Sequence, residues 1–103
     1  MAKGYWIGRV DVTDPEAYKD YVQANARPFA KFGGRFLVRG GQFDPVEGEA
    51  RSRNVVIEFK DYETALACYR SPDYAEAMAH RIGAGIADII VIEGYDGPQP
   101  EDT

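Results

Sequence analysis

Arg39 and Glu58 are the two side chains of this sequence whose types and placement could do chemistry together. Arg39 lies in Gly-Gly-Arg-Phe-Leu-Val-Arg-Gly-Gly, residues 33–41, a glycine-bracketed apolar strand that carries charge. Glu58 lies in Asn-Val-Val-Ile-Glu-Phe, residues 54–59, which reads as the next strand. Strand alternation puts both in one parity set, so they are expected to face each other across the pair. As a structural pair they fix the register of strands or subunits, and losing either one strands the other. As a site, the guanidinium grips a carboxylate or enolate at two points while a partly buried Glu58 moves a proton near neutral pH.

Asn25 interrupts an apolar helical stripe, which turns its amide either toward a cavity or onto backbone near Pro28. Tyr18, Tyr21 and Tyr74 read first as core residues with a wet hydroxyl. His80 is the second catalytic candidate beside Glu58, although a helix C-terminus favours the positive charge of His80 and Arg81 without any chemistry. As the single histidine it excludes a metal site built from several imidazoles, and no metal is expected. The lone Cys68 cannot form an internal disulfide and reads as a small buried hydrophobe, since Arg70 is the one charged neighbour. The glycines at 33, 34, 40, 41, 83 and 85 form no nucleotide fingerprint. Gly33-Gly34 follow a helix and precede a strand, the reverse of a phosphate-binding turn.

The elements that must position these residues are marked along the chain. Tyr5 to Val12 alternates as a strand, and Thr13-Asp14-Pro15-Glu16 opens a helix. Its stripe is Tyr18, Val22, Asn25, Phe29 and Phe32, with Tyr21 alongside; Pro28 should kink the last turn, and Gly33-Gly34 end it. Strands over Arg35–Gly41 and Asn54–Phe59 flank a long loop, Gln42 to Arg53, in which Phe43 and Val46 need something apolar to pack on. A second helical region runs from Asp61, breaks at Ser71-Pro72 and resumes to Ile82; Ala87 to Tyr95 is the last strand. Residues 1–95 form one domain, and 96–103 read as a flexible acidic tail.

This order predicts an α+β, ferredoxin-like β-α-β-β-α-β sandwich: a four-stranded, mostly antiparallel sheet with both helices on one face and the first and third strands as a parallel centre. Parity gives a dry set of Trp6, Val10, Val12, Phe36, Val38, Val55, Ile57, Phe59, Ile90 and Ile92. The opposite set mixes Ile7, Leu37, Val56, Ile89 and Val91 with Tyr5, Arg9, Asp11, Arg39, Glu58 and Glu93. A half-apolar face of that kind is built to meet a partner, and a second copy packed sheet on sheet is the simplest one.

At 103 residues the domain buries a modest share of its surface and gains from such pairing. A net charge of -5 with dispersed basic residues argues against nucleic acid and anionic membranes as partners. Apolar runs are strand-sized, and with no cationic, apolar start the chain is expected to be cytoplasmic.

The segments Arg35–Gly41 and Val56–Phe59, with Ser71-Pro72-Asp73-Tyr74 and more loosely Asp14-Pro15, Tyr18 and Arg81, resemble the bacterial family known as domain of unknown function 1330. The likeness covers about Gly4 to Tyr95, with Phe32 standing where the family often carries Tyr or His. It implies a dimeric α+β barrel, a superfamily whose members include monooxygenases and lactone isomerases with a cavity between sheet and helices, and by that resemblance a cofactor-independent enzyme. By that resemblance Trp6, Tyr18, Tyr21 and Phe29 would line the cavity, with Arg39 and Asn25 as further ligand-binding residues. A small anionic or aromatic molecule is the expected ligand. No cofactor is expected, His80 being the only imidazole for haem. The alternative is a non-catalytic binding or stress-associated dimer in which Arg39 and Glu58 are structural.

Overall fold

Each long helix begins where the sequence supplies a cap, in a computed structural model that describes residues 2–102. Met1 and Thr103, the end of the expected tail, lie outside the described residues. After strand β1 (Gly4–Val12), Asp14 accepts a hydrogen bond from the Ala17 amide at 3.3 Å and starts α1 (Pro15–Ala24). Pro28 has no N–H to offer the Ala24 carbonyl, and the helical path breaks at Asn25 into α1 and a short α2 (Ala26–Lys31). Gly33, at φ +73, turns the chain into β2 (Arg35–Arg39).

Strand β3 (Arg53–Phe59) follows the long loop, and Asp61 then accepts from the Thr64 amide at 2.7 Å to start α3 (Tyr62–Tyr69). At the second break Ser71 Oγ accepts from the Tyr74 amide at 3.1 Å and donates to the Cys68 carbonyl at 2.8 Å, so one hydroxyl ends α3 and caps α4 (Pro72–Arg81). Strand β4 (Gly85–Glu93) closes the domain, and a 3-10 turn, Pro100–Asp102, lies in the tail.

The sheet order is β2-β3-β1-β4, the ferredoxin-like arrangement, with every neighbouring pair antiparallel. The expected parallel centre is therefore corrected. Each crossover passes over one strand, which leaves the parallel partners β1 and β2, and likewise β3 and β4, separated by an antiparallel neighbour.

Two parity assignments are also corrected. In β4, Ala87, Ile89 and Val91 pack on the core while Ile90 and Ile92 are exposed on the open face, because Trp6 pairs with Val91 and Ile7 with Ile90. In β2 the pairing shifts by one between Phe36 and Val38, a bulge at Leu37. Beyond it the faces exchange, so Val38 pairs with Val56 on the open face and Arg39 with Val55 on the helix-covered face. Arg35 is the residue opposite Glu58.

Trp6 stands at the centre of the core. Its ring meets Phe29 and Tyr74 edge-on at 5.0 and 4.9 Å, with Tyr69 at 5.4 Å and Phe59 at 5.9 Å. Its indole N–H donates to the Ala65 carbonyl at 2.8 Å. One side chain thus touches α2, α3, α4 and β3, and the helices stand off the sheet by the width of aromatic rings.

Candidate ligand-binding cavity

Between Trp6 and Val10 the helix-facing position of β1 is Gly8, which contributes no side chain to the space under α1 and α4. A cavity of about 40 Å³ occupies that space. Trp6, Tyr18, Tyr21, Asn25 and Arg39 all line it, together with Arg53, Arg81 and an apolar wall that includes Phe29 and Phe36. The five residues proposed from sequence for ligand binding are therefore brought together in space.

Three arginines reach this cavity from three elements. Arg81 comes from the last turn of α4, is only 8% exposed, and holds its guanidinium carbon 5.6 Å from the Tyr21 ring centre. Arg53 opens β3 and stands 5.6 Å from the Tyr18 ring centre. Tyr18 and Tyr21 are 5.3 Å apart, so a tyrosine pair links the two guanidinium groups in one continuous wall. Arg39 is exposed and stacks 4.0 Å over Phe36. Gly40, at φ +67, passes so close to Arg53 that a Cβ there would lie 2.6 Å from its guanidinium.

No Asp or Glu lines the cavity, and none of the ion pairs among the described residues involves Arg39, Arg53 or Arg81. Nε of Arg53, Nε of Arg81 and Oδ1 of the 5% exposed Asn25 are buried without a hydrogen-bond partner. On the open face the situation is reversed. Arg51 holds Asp11 and Asp88 at 2.8 Å each, and Arg9 approaches Asp88 at 3.5 Å.

The Tyr18 phenol of the wall is neutral at ordinary pH. Burial pushes the Tyr18 hydroxyl above its usual range despite the opposing pull of Arg53. Burial, then Tyr21, pushes Tyr74 higher still, and the Tyr21 and Tyr74 oxygens share a hydrogen bond of 2.8 Å. Burial works against the charge of Arg81, the phenol oxygens of Tyr74 and Tyr21 outweigh it, and its pKa is raised. Cationic donors, an amide and neutral hydroxyls are suited to holding an anion.

The other candidates lie elsewhere. Glu58 is on the open face, where it accepts from the Tyr5 hydroxyl at 3.1 Å; the expected pairing of Arg39 with Glu58 is corrected, since the register sets Arg35 opposite Glu58 and the Leu37 bulge puts Arg39 on the other face. His80 is exposed on α4 and does not line the cavity. Cys68 is fully buried, its thiol pushed up to about 12 by burial. Arg53 and Arg81 are the cavity residues that sequence reasoning passed over. Their signals were periodic: Arg53 shares parity with Val55, Ile57 and Phe59, and Arg81 falls four residues after Ala77 on the buried stripe of α4. Among the described residues no group of His, Cys, Asp and Glu could hold a metal ion, and no helix is long and apolar enough to cross a membrane.

Residues 3–95 match the family described as Domain of unknown function (DUF1330). No curated protein matches the chain. A protein of unknown function from Rhodopseudomonas palustris is similar in structure, with TM-score 0.74 at 19% identity over 93% of this chain and 85% of that one. A cofactor-independent oxygenase from Streptomyces nogalater gives TM-score 0.63 at 12% identity, over 97% and 99% of the two chains. A dimeric ferredoxin-like protein of unknown function from Thermobifida fusca gives 0.58 at 15%, over 89% of each. At these identities the likeness is one of fold.

Gly8 tests how the cavity arises. A Cβ there would meet only Ile89 Cγ1, at an ordinary 3.7 Å. Gly8→Ala is expected to stabilise the fold by about 0.4–1 kcal/mol through the unfolded chain's lost freedom. Chemical denaturation checks this, and a loss of stability would mean that the space is not open.

Proposed function

We propose that this chain, which belongs to the DUF1330 family, is a homodimeric protein that binds a small anion in the cavity between its sheet and helices. The observation that carries the reading is the set of three arginines around one cavity without a carboxylate to neutralise them, two of them with a buried, unpaired Nε. An unsatisfied buried donor costs about 1–3 kcal/mol, and more when charged, so an anion that pairs with Arg53 and Arg81 recovers a penalty already present in the fold. Arg39, at the exposed side, is the third cation of the set and holds the bound anion from that side.

Assembly is the second part of the reading. Val38, Val56, Ile7 and Ile90 follow one another across the four strands as an apolar row on the open face, and Ile90 is 52% exposed. Val46, in the β2–β3 loop, is 91% exposed. A second copy laid sheet on sheet would cover the row, and its edge would give that loop an apolar surface. A neighbour of the same fold is described as dimeric, which supports a dimer here.

A cofactor-independent enzyme is the reading that the oxygenase neighbour suggests. Binding is better supported by the side chains, because neither candidate proton carrier, Glu58 or His80, lines the cavity.

Small monocarboxylates are expected to raise the melting temperature by ~10 °C or more at a hundred times Kd. Arg39→Met should change the melting temperature of the free protein little, since an exposed cation–π contact contributes only about 0.5–1 kcal/mol, yet it should remove most of the ligand response. A variant that responds like the wild type would take Arg39 out of the site. A wild type indifferent to every carboxylate would end the binding reading.

Light scattering is expected to give twice the monomer mass, and Ile7→Glu to return it to the monomer mass by forcing an unpaired carboxylate into the covered row. A wild-type monomer at micromolar concentration would contradict the dimer.

A further inference from the structure

The two edges of the sheet are built differently. β2 is short, is bulged at Leu37 and carries Arg35 and Arg39, devices that keep an edge from pairing with another strand. β4 has none of them. Its nine residues run against β1 without a register shift, contain no Lys, Arg or Pro, and present an outer edge that pairs with no strand among the described residues. Both faces of β4 are apolar up to that edge, with Ile86, Ile90 and Ile92 exposed on the open face and Ile89 and Val91 half-buried on the other. Of its two acids, Asp88 is held on the open face by Arg51 at 2.8 Å.

On the helix side a groove follows this edge. Tyr62, Leu66, Tyr69 and Arg70 at α3 form its wall, and Ile89 and Val91 form its floor. The start of α3 lies against Gly4, where a Cβ would run into the Asp61 carbonyl, and Gly4 is the residue paired with Glu93. From Tyr62 to Arg70 the helix rises about 12 Å, the length of about four strand residues. Tyr62 therefore stands at the Glu93 end of β4 and Arg70 beside Ile89, with Leu66 between them at the level of Val91. Glu93 shares the helix-side parity of Ile89 and Val91, and among the described residues neither Glu93 nor Arg70 is in an ion pair. Both are exposed.

We infer that β4 is an interaction edge for β4 of a second copy, the two strands pairing antiparallel about a two-fold axis at Val91. In that register Val91 faces itself and Ile90 faces the partner's Ile92, while Glu93 faces the partner's Ile89 and so reaches the partner's Arg70, twice by symmetry. Asp88 falls opposite Gly94, which has no side chain, so no two acids oppose each other. Leu66 meets its own copy across the joined grooves. This contact uses the edge of the sheet and is separate from the sheet-on-sheet contact proposed above. One strand pair and one helix flank make a small interface, so it joins such dimers to one another only as concentration rises above the micromolar range.

Oxidation of the concentrated Val91→Cys variant of the full chain, followed on a non-reducing gel, tests this. Residues directly opposite each other on antiparallel strands are about 4.5–5.5 Å apart between Cα atoms, within disulfide range. Position 91 lies on the helix-covered side of the sheet, so the sheet-on-sheet contact cannot supply the link. A covalent pair of chains is expected for the variant and none for the wild type, whose Cys68 is fully buried. Arg70→Glu in the same background should cut the yield by about fivefold or more, and adding Glu93→Arg should restore it. Ile7→Glu should leave the link in place. If Val91→Cys fails to fold, sedimentation reads the same contact: the mass of the wild type and of the charge-swapped pair should rise with concentration, and that of Arg70→Glu alone should not. A variant that stays a single chain on oxidation, a link lost in Ile7→Glu, or a wild-type mass that is constant with concentration would overturn the edge pairing and leave the anion-binding and sheet-on-sheet readings standing. A yield indifferent to charge reversal would overturn the register.

Discussion

The packing of Trp6 is the constraint on which the rest of the domain depends. Its ring is in contact range of Phe29, Tyr69, Tyr74 and Phe59, and its N–H is bound by the Ala65 carbonyl, so both helical regions are referenced to a single side chain of the central strand β1. Rings this large hold the helices away from the sheet. Two residues further along β1, Gly8 puts no side chain beneath α1 and α4. The cavity is the geometric consequence of a very large residue followed, on the same face, by the smallest one.

What lines that space is an electrostatic asymmetry. The chain carries a net charge of -5, and its open face neutralises cations locally, with Arg51 between Asp11 and Asp88. The cavity gathers Arg39, Arg53 and Arg81 with no acid among its lining residues. Exposed arginines can remain unpaired at little cost in water, whereas a buried Nε–H cannot. The tyrosines offer these cations ring faces and hydroxyls, Tyr18 to Arg53 and Tyr74 to Arg81, and leave each Nε without a partner.

Much of this architecture is legible in the sequence because the physics is local. Asp14, Asp61 and Ser71 announce their helices as caps, Pro28 its break, and Gly33 its turn. Asn25 in an apolar stripe is visible as an anomaly, and it does line the cavity. The failures have equally local causes. Phe36-Leu37-Val38 are apolar in succession, so a bulge at Leu37 leaves no mark in the pattern and reverses the side to which Arg39 is assigned. Ile89-Ile90-Val91-Ile92 is apolar on both faces, and only its pairing with β1 decides which two residues are covered. Arg53 and Arg81 occupied core-facing positions in plain periodic register, where an unmatched arginine is as strong a signal as Asn25 was.

The central claim is the proposal that Arg53 and Arg81 hold an anion for which the cavity itself offers no carboxylate. Arginine Nε–H resonances of the isotopically labelled protein, followed by NMR during titration with a small carboxylate, read this directly. Arg51 supplies an internal reference, since its Nε already donates to Asp88 at 2.8 Å. The expected result is that the Arg53 and Arg81 signals move downfield and saturate together while the Arg51 signal stays in place. Resonances of Arg53 and Arg81 that remain still at saturating carboxylate, or that drift in parallel with Arg51, would contradict the account.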